Sequence, residues 1–327
     1  MNNKVRYIRV GKEKKMKNDI KNNIPVIGDD TNYWIIRSGV ENAFYEEFFY
    51  NSCIALGWDR INDIESIENI DNIQQLKNTV KVKYPELEQN RSKSSYTRKI
   101  SDISTKIFKF INELKIGDII VTPGSNEVLI GEIISDPYLI DGYYENVAGT
   151  ELMGSLNKAR KVKWLKRIRR EDLEPNFRLI LGVYHGIAHI KSSQVITEIN
   201  RTLYNFYIEY DKGHSIFRIT EEAEVDFQKY AYFIKSTNEI YSKLKHKYKK
   251  EKLTIKTNVQ SPGPIELIGD FGLVSSLVLG LKAFLKHDEN ALNSMDEDAK
   301  KAVQAYIESK EPEYEYDDYE FPNHGSY

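Results

Sequence analysis

Residues 101–134, SDISTKIFKFINELKIGDIIVTPGSNEVLIGEII, hold the pattern that most constrains the fold. Ile103, Ile107, Phe110, Ile111 and Leu114 recur at three- and four-residue steps, so they share one face of an amphipathic helix. Gly117 stands where a glycine just past a helix end is expected. Two apolar runs then flank Pro-Gly-Ser-Asn, which is a turn signal, so the helix hands over directly to a β-hairpin. A helix feeding an adjacent hairpin places the chain in the α+β class.

Other segments fit that frame. YWIIR, from Tyr33, reads as a strand, AFYEEFFYNS as a short helix, and CIALGW as a buried strand ending at Gly57. ARKVKWLKRI is the last clear strand of a strand-rich first domain over residues 31–191. In the second domain, residues 192–310, Phe227, Tyr230, Ile234, Thr237, Tyr241, Leu244 and Tyr248 alternate steps of three and four. That predicts a long helix with a narrow apolar seam, packed on its own domain in preference to a coiled coil. A homo-oligomer contact through this Phe227 to Tyr248 helix is the other use of such a seam. KLTIK and PIELIGD read as strands around a Ser-Pro-Gly break, followed by helices carrying Leu273, Leu277, Leu281 and Phe284, then Ala299, Ala302, Val303, Tyr306 and Ile307. The second domain is therefore expected to be mainly helical with a short strand-SPG-strand element. Residues 1–30 predict a flexible leader or a loosely docked strand. Residues 311–327, acidic and aromatic, predict a disordered tail.

Charge and cysteine use exclude several classes. Lys and Arg number 47 against 49 Asp and Glu, a formal charge of −2, so any nucleic-acid surface must be a local patch. The single Cys53 rules out a disulfide within one chain and fits a reducing compartment; in its apolar run it reads as a buried, inert thiol. The N-terminus has no apolar core of a secretory signal. The most hydrophobic window, residues 271–281, falls short of the roughly 20 residues that span a bilayer. A cytoplasmic protein without a membrane partner is expected.

Sites of catalysis are hard to find. GxxxxGK[ST], GxGxxG and GxSxG are all missing from the sequence. His185 and His189 lie four apart without a third metal ligand, and read as surface or turn histidines. Glu308-Ser-Lys310 has the local spacing of a nuclease motif but stands at a helix end without strand context. No catalytic residue, metal or cofactor is expected. For an enzyme, the first suspects are His185, His189, Asp211 and His214.

The strongest positive signal is a basic strand holding Arg160, Lys161, Lys163, Lys166 and Arg167. Alternation puts Val162 and Trp164 on one face, Lys161 and Lys163 on the other. This is a ridge for phosphates, or equally a solvated edge strand protected by charge. Glu171 and Asp172 follow and weaken its field.

In order and spacing, NYWIIRSG, CIALGW, KIFKFINELKIGDIIVTP, VLIGEII and RKVKWLKRIRREDL resemble the N-terminal domain of many Mrr-type restriction endonucleases. That domain is PUA-like, near the EVE and YTH domains, and the resemblance covers about residues 33–173. It implies a small β-barrel with flanking helices and an aromatic-walled pocket for a flipped, commonly modified nucleobase. Stacking a flipped base needs a π-face and edge donors. The resemblance points to Trp34, Trp58 and Arg37, with Ser38 and Gly39 allowing close backbone approach, as the pocket. Arg160, Lys161, Lys163, Lys166 and Arg167 would hold phosphates. Lys158 stands where relatives often carry a His, six residues before the strand tryptophan; the segment from Leu139 to Ala159 is long, and no endonuclease domain follows. Alternation also sets a condition: Trp34 and Ile36 share one face, Ile35 and Arg37 the other. Trp34 and Arg37 line one pocket only if the strand bends or ends at Ser38-Gly39.

The expected function is a nucleic-acid-binding, modified-base-reading sensor of DNA or RNA in a bacterial anti-phage or restriction-type defence system. It lacks its own nuclease and acts with a partner protein. The alternative is a nucleotide- or protein-binding module whose C-terminal domain oligomerises.

Overall fold

The computed structural model describes residues 24–70, 72–140, 155–182, 185–219, 226–249, 251–257, 264–310, 312 and 319–322. The leader through residue 23, most of the long segment after Leu139, the Ser-Pro-Gly break and most of the acidic tail lie outside the described residues. The chain divides into two compact units: Asp30–Leu203, and Met1–Asp29 with Tyr204–Tyr327. Strand β1 (Val26–Ile27) therefore belongs with the C-terminal half, where it pairs in parallel with Ile208 and Glu209.

The unit Asp30–Leu203 contains β2 (Tyr33–Ile36), α1 (Tyr45–Tyr50), β3 (Cys53–Leu56), α2 (Ile64–Glu68), α3 (Ile73–Lys83) and α4 (Lys93–Phe108). It continues with β4 (Ile119–Pro123), β5 (Glu127–Ile133), β6 (Tyr138–Leu139), β7 (Lys158–Arg169), α5 (Pro175–Ile180), β8 (Ile187–His189) and α6 (Ser193–Leu203). The strands form one sheet in the order β3-β7-β5-β4-β2-β8, with β6 beside β7. Strand β7 changes partner along its length: Lys158 to Lys161 pair with β3, and Val162 to Arg169 with β5. Ile130 faces Lys166 and Gly131 faces Trp164, so Leu165 is the extra residue of a bulge, which bends the sheet. Gly131 is required there, since a Cβ would stand 2.6 Å from both Trp164 and Val162 side chains. The sheet curls but stays open among the described residues, with β3 and β8 as its edges.

Both faces of this sheet are covered, which is why its strands read as nearly continuous apolar runs. Trp34 and Ile36 join Phe48, Ile54, Ile103 and Ile107 in one core. Tyr33 and Ile35 join Val121, Val128, Phe177 and Ile199 in the other. The predicted apolar face of α4 is buried from Ile103 to Leu114. Its last part, Lys109–Glu113, widens into a π-helical turn closed by Leu114 N donating to Lys109 O at 3.0 Å. Gly117 does not end this helix. It sits at φ 93° in the following turn, where Asp118 N donates to Lys115 O. The unit runs past residue 191 because α6 buries Val195 and Ile199 against Phe177.

The second unit carries more sheet than its helical periodicity suggests. Strands β9 (Phe206–Glu209), β10 (Lys212–Ile219), β11 (Thr254–Thr257) and β12 (Pro264–Asp270) extend from β1 in the order β1-β9-β10-β12-β11, and β13 (Tyr319–Glu320) joins β10. The β9-β10 hairpin escaped the sequence reading because its turn is Tyr210-Asp211, both at positive φ, without a glycine between the strands. Helices α7 (Phe227–Leu244), α8 (Phe271–Leu285), α9 (Glu289–Asn293) and α10 (Glu297–Ile307) complete the unit. Their shared core holds Phe217, Phe233, Ile240, Leu277 and Val303. The buried face of α7 is Phe233, Ser236, Thr237, Ile240 and Leu244, rotated from the predicted seam; Phe227 is 79% exposed, and the helix ends before Tyr248. No described helix is long and apolar enough to cross a membrane.

Candidate nucleic-acid interface

The basic strand divides into buried and surface cations. Arg160 is only 2% exposed. Its guanidinium donates to Phe110 O at 2.8 Å, Ile111 O at 2.9 Å and Ser135 O at 3.1 Å. It therefore satisfies carbonyls of the π-helical turn and is removed from the predicted ridge. Burial pulls it down to about 10. Lys161 and Lys163 are exposed, as alternation requires, while Val162 between them is buried. Past the bulge, Lys166 Nζ donates to Thr202 O at 2.8 Å. Arg167 bridges Glu46 and Glu127 at 2.7 and 2.6 Å, with its guanidinium 4.9 Å from the Phe49 ring. Arg169 pairs with Glu171 and Asp172. Most of the strand's charge thus meets protein carboxylates and carbonyls. Beside Arg169 a surface cleft of about 600 Å³ lies between the Asn42–Glu47 segment and the β4-β5 turn.

The predicted pocket residues separate. Trp34 is 3% exposed. Its Nε1 donates to Asp118 Oδ2 at 2.9 Å, and the His189 ring stacks on it at 4.6 Å and 20°. Strand β2 ends at Ile36, and Arg37 keeps the parity of Ile35. Its Nη2 donates to Leu181 O at 2.7 Å, within the opposite core. Trp34 and Arg37 therefore do not line one pocket. Ser38 is fully buried. Gly39 adopts φ 89°, and a Cβ there would meet Phe44 Cδ2 at 2.7 Å, so the close approach it allows is to Phe44.

Trp58 shares the core of Trp34 and is 4% exposed. It sits at φ 66°, unusual for a bulky residue. Lys158 holds that conformation. Fully buried, its Nζ donates to Trp58 O at 3.0 Å, Ile61 O at 2.9 Å and Asn157 Oδ1 at 2.7 Å. Burial pulls this ammonium down to about 7, with Asp59 opposing. On the ring itself, Tyr84 packs edge-on and Lys99 Nζ stands 5.5 Å from the centroid.

The sequence reading missed Asp118, whose carboxylate gathers Asn32 N, Asn32 Nδ2, Trp34 Nε1 and Lys115 N. Its only local signal was an acid after Gly117, ahead of an apolar strand. His189 carried a signal as a suspected catalyst, yet its place is the stack on Trp34. Burial and then Lys191 lower its pKa, and Lys109 adds to this.

Of the other catalytic suspects, His185 is exposed and Asp211 lies in the β9-β10 turn. His214, in the second unit, is nearly buried. Its Nδ1 stands 2.8 Å from Glu266 Oε1, its Nε2 3.8 Å from Glu209, and its ring stacks on Tyr207 at 4.5 Å. Burial raises the Glu209 carboxyl. Among the described residues, no group of three or more His, Cys, Asp or Glu is placed to hold a metal.

Residues 34–178 match a family model described as a domain of unknown function (DUF8426). No curated protein matches the chain.

Proposed function

We propose that this chain is a nucleic-acid-binding protein of the PUA-like type, reading modified bases as the sensor of a bacterial anti-phage or restriction-type defence system. Cleavage would fall to a partner. The observation that supports this reading best is the Trp34-His189 stack. An imidazole lies on the outer face of a buried indole in the parallel geometry that a nucleobase takes on an aromatic platform. A base reaching Trp34 would replace that imidazole, while the buried Asp118 carboxylate keeps the indole oriented. Lys161 and Lys163 are the lysines that β7 leaves exposed.

The test is fluorescence anisotropy with labelled oligonucleotides, identical except for one modified base, at fixed salt. The wild-type chain should prefer the modified strand, and Trp34→Leu, with its fold checked by circular dichroism, should lose that preference. Equal affinity of the wild type for both strands removes base reading. Failure to bind any oligonucleotide removes the proposal. The alternative, an interaction module that oligomerises through its C-terminal half, draws on the exposed Phe227 at the head of α7. Sedimentation of Phe227→Ser against wild type decides it.

A further inference from the structure

We infer that the phosphate backbone of the bound nucleic acid runs along helix α4 and over the β8 edge, past Lys99, Lys106, Lys109, His189 and Lys191, and not along β7. This rests on the nucleic-acid reading and changes which surface carries it.

The cations of α4 lie close enough to feel one another. Lys99 and Lys106 are seven residues apart, nearly two full turns, so they share a face. Lys99 is held below the ordinary lysine range by burial first, with Lys106 and Arg91 adding repulsion. A Cβ on Gly186 would stand 3.0 Å from Lys106 Cε, so the loop that leads into β8 lies against the helix at this point. From there Lys109, His189 and Lys191 continue the line, and the two lysines both lower His189. Like charges gathered on a chain of net charge −2 repel one another in the free protein, and a polyanion relieves that repulsion.

Of the nearby carboxylates, Asp102 pairs with Lys106 at 2.8 Å and so offsets one charge of the line. Glu113 lies at the far end, near His189. Asp118 is 2% exposed and occupied by Trp34 and backbone donors. On β7, by contrast, Arg167 and Arg169 are each held by two carboxylates, and Arg160 and Lys166 donate to carbonyls.

The line also passes two of the three tryptophans, Trp58 and Trp34. Lys99 stands over Trp58 and His189 over Trp34. Basic side chains interleaved with aromatic platforms suit a strand whose phosphates and bases are held together.

Two double variants of the full chain decide the matter: Lys109→Gln with Lys191→Gln, and Lys161→Gln with Lys163→Gln. Lys161, Lys163 and Lys191 are exposed and Lys109 is half-buried, so the fold should survive; circular dichroism verifies this. Anisotropy with a labelled single strand is recorded across a salt series. The Lys109 and Lys191 pair should lose about two in the slope of log affinity against log salt, about one per lost phosphate contact. The β7 pair should change that slope by less than half as much. Wild-type binding should strengthen as pH falls from 8 to 5.5, and His189→Ala should remove that strengthening. A larger slope change from the β7 pair, or equal changes from both, overturns the inference while leaving nucleic-acid binding intact. A wild type that binds no strand overturns both.

Discussion

Replacing Arg160 separates a structural guanidinium from a phosphate ligand. Arg160→Met keeps the aliphatic stem and deletes the fork. The carbonyls of Phe110 and Ile111 then lose their donor inside the core, and that of Ser135 loses it at the core's margin. A buried polar group left without a partner costs about 1–3 kcal/mol. Partial relaxation and the removed cost of burying a charge offset some of this, leaving a net loss of about 3–5 kcal/mol for the three acceptors together. That is a large share of the roughly 5–15 kcal/mol typical of a folded domain. Trp34, Trp58 and Trp164 all lie in the unit Asp30–Leu203, so tryptophan fluorescence in a urea titration reports on this unit alone. With a slope of about 2 kcal/mol per molar urea, the midpoint should fall by about 1.5–2.5 M. An unchanged midpoint together with lost oligonucleotide binding would show that Arg160 faces ligand, and would refute the structural assignment.

Three further outcomes follow from the same geometry. Asp118→Ala strands Trp34 Nε1 and the Asn32 and Lys115 amides, and should cost about 3 kcal/mol in the same titration, with a shift of the Trp34 emission. Gly39→Ala, at φ 89° and against Phe44, should destabilise by about 1–3 kcal/mol, read as a lower thermal midpoint. Lys158 falls from its ordinary 10.5 to about 7 in the folded chain. Below pH 7 both states hold the proton. Between about 7 and 10.5 only the unfolded chain holds it, so stability should rise with pH across that window, by at most about 5 kcal/mol at 1.36 kcal/mol per unit. Urea midpoints at pH 7 and 9.5 check this, and Lys158→Met should flatten the difference.

Much of the N-terminal unit was legible because its signals are local. The spacing from Ile103 to Leu114 fixes a helix face whatever surrounds it, and Pro-Gly-Ser-Asn reverses the chain within four residues. The β9-β10 hairpin was not legible, since Tyr210 and Asp211 adopt positive φ without the usual glycine. The seam of α7 differs from the expected one by part of a turn, because Phe233 packs on Phe217 and Ile240 lies against Gly280 of α8 while Phe227 stays in solvent.

The site divides along the same line. Residue types and alternation, readable in sequence, placed Lys161 and Lys163 outward and put Trp34 and Arg37 on opposite faces of β2. Which cations remain available to a ligand is decided by partners distant in sequence. Phe110 and Ile111 take Arg160, Glu46 and Glu127 take Arg167, and Thr202 takes Lys166. The line from Lys99 through Lys109 to Lys191 exists only because β8 packs beside β2 and brings His189 onto Trp34. Short-range sterics and periodicity act within a few residues and are written in the chain. Electrostatic pairing and stacking act across space, and only the packed sheet brings those groups together.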